Sequence, residues 1–191
     1  KLLERLDYKV VAGSDNIEIT ELVNDSRKVV PDSAFVCISG AVSDGHQYVK
    51  DVAEKGAAAV IVEKDVEVPE GLTVIKVENT RYALALMSAA YFGYPAEKLK
   101  TIGITGTKGK TTTTYMVKAI LEEVGHKVGL IGTIEAIIGD KTIPSNNTTP
   151  ESYTIQKYFA QMVEAGCDCV VMEVSSQGLM LHRTAGIMFD I

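Results

Sequence analysis

Between Thr105 and Thr113 the chain reads Gly106-Thr107-Lys108-Gly109-Lys110-Thr111-Thr112, two glycines, two lysines and a run of hydroxyl side chains within seven positions. Glycine lets backbone N–H groups approach an anion closely, and the N-terminus of a following helix adds a favourable dipole. In such a loop Lys110 supplies a point charge for the β- and γ-phosphates of a nucleotide, and the Thr111 hydroxyl is a ligand for Mg²⁺. The match to G-x-x-x-x-G-K-[ST] is incomplete: the first glycine would fall at 104, which is Ile104, with Gly103 and Gly106 on either side.

Mg²⁺ wants six oxygens, usually with a carboxylate among them, so Thr111 and phosphate alone leave it underligated. Glu173 is the candidate acid. It ends the apolar run Cys169-Val-Val-Met172, and ligands of open α/β sheets gather at the carboxyl ends of strands. Lys110 and Glu173 are therefore the expected catalytic pair, with Thr111 and Glu173 expected on the metal.

The elements that must position these residues follow from the hydrophobic period. A strand over Lys100–Thr105 enters the Gly-rich turn, and a helix from about Thr111 to Val124 leaves it, with Met116, Val117, Ile120, Leu121 and Val124 expected on one apolar face. Then come a strand over KVGLIGTI (127–134), a loop through Pro144 and Pro150, a helix over about 151–165, and the strand Cys167–Val174. Strands alternating with helices predict a doubly wound, mainly parallel sheet.

Upstream, AFVCI (34–38), AAAVIV (57–62) and TVIKV (73–77) read as strands around a helix from His46 to Glu54 that stops at Gly56. A second helix, Arg81 to Phe92, stops before Gly93-Tyr94-Pro95, the candidate hinge. The expected fold class is α/β, a small unit over 1–97 followed by part of a phosphate-loop sheet over 98–191. The ending Met-Phe-Asp-Ile191 reads as a strand cut short, so a truncated chain is expected.

Composition excludes several classes. Of 191 residues 46% are apolar and 23% charged, as in ordinary globular proteins, which argues against a disordered or fibrous chain. A net charge of −6 argues against general affinity for nucleic acid. No apolar run approaches the ~20 residues that span a bilayer, and no signal-peptide pattern opens the chain. A cytoplasmic location without membrane insertion is the expectation. Cys37, Cys167 and Cys169 are read as buried thiols, and His46, His126 and His182, with no partner at ligand spacing, as solvent-facing or structural.

Thr105-Gly-Thr-Lys-Gly-Lys-Thr-Thr112, Asn147-Thr-Thr-Pro-Glu151 and Met172-Glu-Val-Ser-Ser-Gln-Gly-Leu-Met-Leu-His-Arg183, in that order, resemble the Mur ligases, most closely those of the tripeptide-synthetase type. The first motif is shared with folylpolyglutamate ligases, whereas the other two are narrower. Asn24-Asp-Ser-Arg-Lys-Val29, Ala34-Phe-Val36 and Ser43-Asp-Gly-His46 extend the likeness to that family's UDP-sugar-binding domain, so that it covers essentially the whole chain.

The resemblance implies that residues 1–97 bind a UDP-sugar and 98–191 begin an ATP-binding domain. It implies that Gly106 to Thr112 hold ATP, that Thr111 and Glu173 hold Mg²⁺, and that Ser26 lies near the UDP group. Asn147, Thr148, Thr149, Ser175 and Arg183 would hold the muramoyl-peptide; Leu181 stands where many members have Gln. Implied too is the reaction, ATP-dependent addition of lysine or diaminopimelate to UDP-N-acetylmuramoyl-L-alanyl-D-glutamate through an acyl phosphate, which needs positioning and charge neutralisation rather than a nucleophilic side chain. The alternatives are another Mur or folylpolyglutamate-type ligase, or a nucleotide-binding module with the chain itself inactive. Which amine is added, and the oligomeric state, are not legible in these residues.

Overall fold

In a computed structural model, which describes residues 1–40 and 43–191, the chain divides into two compact units, Lys1–Leu84 and Ala85–Ile191. The first carries a five-stranded sheet in the order β1-β5-β4-β3-β2: β1 (Lys9–Ala12), β2 (Leu22–Val23), β3 (Ala34–Val36), β4 (Ala59–Val62) and β5 (Thr73–Lys76). Strands β2 to β5 are parallel; β1 pairs antiparallel with β5 through an irregularity between Val10 and Ala12. The three long apolar runs became β3, β4 and β5. Two short edge strands, β1 and β2, add to them without a readable pattern of their own.

The expected helix near His46 is a 3-10 turn, Gly45–Tyr48, continued by α1 (Val49–Glu54). Val49 and Val52 of α1 bury against Phe35, Val60, Val62 and Val74. Helix α2 (Thr80–Tyr91) starts on Glu63, whose Oε2 accepts from the Thr80 amide at 2.9 Å and its hydroxyl at 2.8 Å, while Oε1 accepts from Ser39 Oγ at 2.9 Å. The division between the units falls inside α2, after Leu84, whereas Gly93 (φ 71°) and Tyr94 (φ 54°, ψ 55°) end that helix within the second unit.

The second unit holds the sheet β6-β10-β7-β8-β9. Strands β6 (Lys100–Ile104), β10 (Cys169–Glu173) and β7 (Val128–Ile131) run parallel with β10 in the middle. Alternation along β10 sorts its side chains between two layers. Val170 and Met172 face Ile155, Phe159 and Met162 of α4 (Ser152–Glu164), whereas Cys169 and Val171 face Val117 and Leu121 of α3 (Lys110–Glu123). Every residue of β10 is buried, which fits a central strand covered on both sides.

Two expectations need correction here. The run KVGLIGTI ends as a strand at Ile131, and the segment read as a loop contains an antiparallel hairpin, β8 (Glu135–Ile138) and β9 (Lys141–Pro144). Its two-residue Gly139-Asp140 turn has Gly139 at φ 56°, the positive φ that tight hairpin turns require at their first central position. The apolar face foreseen for α3 is also split: Val117 and Leu121 pack on the sheet, while Met116, Ile120 and Val124 are 60%, 63% and 70% exposed. The last residues run beside β6, with Asp190 N donating to Thr101 O at 2.9 Å and Gly103 N to Ile191 O at 2.9 Å.

Candidate nucleotide and metal site

The parallel strands of the second unit deliver their carboxyl ends to one edge of the sheet, and the loop after β6 is the Gly-rich turn. Gly106 (φ 139°) and Gly109 (φ 81°) hold backbone conformations that side chains disfavour. Gly109 is the N-cap of α3, so the loop amides and the helix N-terminus both lie at this edge. Residues 105–109 and Thr112 are exposed. The Lys110 ammonium folds back to donate to Gly106 O at 2.8 Å, which holds a positive charge over the loop.

Glu173, at the end of β10, is 1% exposed. Burying a carboxylate there is costly unless donors surround it. Three do: Thr111 Oγ1 donates to Oε2 at 3.0 Å, Thr133 N to Oε1 at 2.8 Å, and Thr133 Oγ1 to Oε2 at 3.1 Å. Gly132 makes room, because a Cβ there would stand 2.5 Å from Oε1. Two hydroxyls thus converge on one carboxylate oxygen beside the phosphate loop, an all-oxygen set of the kind Mg²⁺ accepts alongside waters and phosphate oxygens.

Behind this centre, a chain of hydroxyls reaches the Asn147-Thr-Thr segment. Thr133 Oγ1 lies 3.0 Å from Thr148 Oγ1, and the buried Thr149 donates to Glu173 O at 3.0 Å while accepting from Ser175 N at 2.9 Å. Ser175 caps α5 (Ser176–Met180) by accepting from Gly178 N at 3.0 Å. Arg183 donates to Thr149 O at 2.9 Å and to Glu151 Oε1 at 2.6 Å, leaving its buried Nε without a partner. Asn147 is exposed beside them.

The structure therefore brings Thr111, Glu173, Thr148, Thr149, Ser175 and Arg183 into one connected network next to Lys110. Thr149 and Arg183 brace the corner that carries Glu173. Ser26 is described in the first unit, in the turn after β2, where its carbonyl accepts from Lys55 Nζ at 2.7 Å.

Sequence reading passed over Thr133, Gly132, Tyr115 and Glu135. Thr133 lies two residues beyond β7, and a position just past the carboxyl end of a parallel strand is a natural place for a site residue, so the sequence did carry a signal for it. Tyr115 donates to Glu135 Oε1 at 2.8 Å, tying the β7–β8 corner to α3. Burial, reinforced by Glu135 and Glu173, pushes the Tyr115 hydroxyl up to about 12, so it stays protonated and a donor.

Two of the histidines are held by named partners. His46 sits between Asp44, 2.6 Å from its Nδ1, and the Glu63 amide, which donates to Nε2 at 3.1 Å. His126 Nδ1 is 2.7 Å from Asp168 Oδ2.

Comparison with known proteins agrees with this layout. The Mur ligase middle domain matches residues 104–191, and the catalytic domain of the Mur ligase family matches residues 18–94. The chain belongs to the Mur ligase family. Among curated proteins it is 49% identical over 189 residues to UDP-N-acetylmuramoyl-L-alanyl-D-glutamate--2,6-diaminopimelate ligase of Clostridium perfringens, covering 99% of this chain and 39% of that one. The same identity over 190 residues holds for the Clostridium acetobutylicum protein of that name numbered 1, covering 100% and 39%. The chain thus spans about two fifths of the length of these relatives.

Among solved structures, one of UDP-N-acetylmuramoyl-L-alanyl-D-glutamate--2,6-diaminopimelate ligase superposes with a TM-score of 0.77 at 22% identity, covering 93% of this chain and 36% of that one. The MurF ligase of Thermotoga maritima in complex with ADP gives 0.56 at 22%, covering 89% and 36%. At that identity the likeness is one of fold. It supports an α/β chain with two mostly parallel sheets.

Proposed function

We propose that the protein is an ATP-dependent amide ligase that joins 2,6-diaminopimelate to UDP-N-acetylmuramoyl-L-alanyl-D-glutamate, with residues 1–97 holding the UDP-sugar and 98–191 contributing the ATP site. The observation that carries the chemistry is the buried Glu173 carboxylate, ringed by Thr111 and Thr133 beside the exposed Gly106–Thr112 loop. The choice of diaminopimelate over lysine rests on the names of the relatives.

In this reading the substrate's D-glutamyl carboxylate attacks the γ-phosphorus of ATP. The bond to the bridging oxygen breaks, giving an acyl phosphate and ADP. The amine of diaminopimelate then adds to the acyl carbon, phosphate leaves, and the ammonium proton passes to solvent. Mg²⁺ supplies charge neutralisation on the phosphate oxygens when bound by Thr111 and Glu173. Loop amides orient the phosphates, and Lys110 exchanges its contact with Gly106 O for phosphate oxygens. Asn147, Thr148 and Ser175 line the approach to the acyl centre, Thr149 and Arg183 keep that corner in place, and Ser26 serves the uridine diphosphate.

The test is a two-part titration of the protein carried to the length of its relatives, of which this chain spans about two fifths. ATP with Mg²⁺ is expected to bind to the second unit, and ADP and phosphate release is expected to require both the muramoyl-dipeptide and diaminopimelate. Release that responds to D-alanyl-D-alanine or folate substrates instead would assign the chain to another ligase of the superfamily, and binding without any release would favour a nucleotide-binding module.

A further inference from the structure

We propose that His126, Asp168 and Cys169 form a site for one divalent cation of the zinc class, at the end of β10 opposite to Glu173. One nitrogen, one carboxylate oxygen and one sulfur of these three residues lie within 4.8 Å of one another. That mixed set suits a borderline-soft ion such as Zn²⁺ or Co²⁺, which takes His, Asp and Cys in four-coordinate geometry, and it is a poor set for Mg²⁺ or Ca²⁺.

The three positions are held in place by backbone, so little ordering remains to be done on binding. Gly125 (φ 95°) ends α3, with its N–H on Glu122 O at 3.0 Å and the His126 N–H on Leu121 O at 3.0 Å, a paired closure that fixes where His126 starts. Asp168 accepts from the Lys127 amide through Oδ1 at 2.9 Å, and this turns Oδ2 toward His126. Lys100 N donates to Asp168 O at 2.8 Å, tying the start of β10 to β6.

Charge and access favour the same occupant. The last carbonyls of the 14-residue α3 lie just before His126, and a helix C-terminus attracts cations. His126 and Asp168 are exposed while Cys169 is 3% exposed, so an ion would enter from solvent and keep its fourth position for water. Burial, then the neighbouring Asp168, raises the Cys169 thiol above its ordinary value, so it is protonated at neutral pH. Binding converts the thiol to a metal thiolate and releases that proton, and His126 Nδ1, 2.7 Å from Asp168 Oδ2, exchanges that hydrogen bond for the ion, which leaves the ring proton of the bound form on Nε2.

This site is independent of the ligase reading and is tested without nucleotide. Metal-stripped protein is titrated with Co²⁺ and followed by absorbance, then Zn²⁺ is added in competition. The expected result is one equivalent of ion with a near-ultraviolet thiolate-to-cobalt band, abolished by Zn²⁺ and by Cys169→Ser. His126→Ala and Asp168→Asn, which change exposed groups, are expected to weaken binding by more than ~10-fold. The absence of a thiolate band at millimolar Co²⁺ in folded protein would overturn the proposal. So would a band that survives in Cys169→Ser, since another thiol would then be the ligand, or binding that is unchanged in both surface variants, since His126 and Asp168 would then not hold the ion.

Discussion

Lys110 and Glu173 stand in opposite environments, and their substitutions should fail in opposite ways. Lys110 reaches over an exposed loop and makes one bond, to Gly106 O. Lys110→Ala should therefore leave thermal stability nearly unchanged while weakening ATP binding by about 1.5–3 kcal/mol, the usual worth of a charge-assisted bond. Calorimetric titration beside a melting curve checks both halves. Glu173 is buried among three donors, so Glu173→Gln keeps an oxygen for the Thr133 amide but replaces the charged oxygen shared by two hydroxyls with an N–H₂, forcing both to turn from donors into acceptors. It should lower stability by about 1–3 kcal/mol and weaken nucleotide binding more with Mg²⁺ than in EDTA. Equal loss in both conditions would mark the residue as structural only. Both residues were legible in the sequence, because a Gly-Lys-Thr run and an acid after an apolar run are local patterns. Thr133 was harder to assign: its partner is a carboxylate 40 positions away, reached only through a fold-back after β7.

At the scale of elements, the corner between β7 and β8 is what local periodicity could not place. The apolar run continues through Gly132 and Thr133, so the strand reads longer than it is, and the turn becomes visible only once Glu173 needs space there. Gly132→Ala tests this. Its Cβ would meet Glu173 Oε1 at 2.5 Å, with a backbone conformation that permits alanine, so the effect should be steric displacement of the carboxylate. We expect about 1–3 kcal/mol of lost stability and a weaker Mg²⁺ dependence of nucleotide binding. A variant with unchanged metal dependence would show that the carboxylate can shift without consequence. Helix α4, in contrast, was readable from its period. Phe159, fully buried with Ile155 and Met162 against Val170 and Met172, should cost about 3–5 kcal/mol on truncation to alanine. Urea unfolding monitored in the second unit measures it. On α3 the sequence could list the apolar residues but not say which side the sheet would take, and only Val117 and Leu121 were used.

For the molecule as a whole, carboxylates in both units set the response to acid. In the first unit Asp44 is held well below the ordinary carboxylate range by Lys64, with His46 adding to it. Glu63 is lowered because the bonds from Thr80 and Ser39 outweigh the opposing effect of burial. In the second unit Asp168 is lowered chiefly by its bond from His126. For each, the folded value lies below the unfolded one, so the unfolded chain binds more protons across the interval between them. The stability these groups contribute is complete above the unfolded values, about 3.9 for Asp and 4.3 for Glu, and is lost as pH falls through the folded values. The melting temperature should accordingly be nearly flat from pH 7 to 5 and fall below about pH 4. Asp44→Asn should flatten that acid limb for the first unit and Asp168→Asn for the second, each lowering stability at pH 7 by an amount that shrinks as pH falls; for Asp44, held so far below the ordinary range, most of the deficit should persist at pH 3. Calorimetry of the two variants at pH 7, 5, 4 and 3 decides it. A steep loss already between pH 7 and 5 would mean that groups other than these carboxylates govern the response.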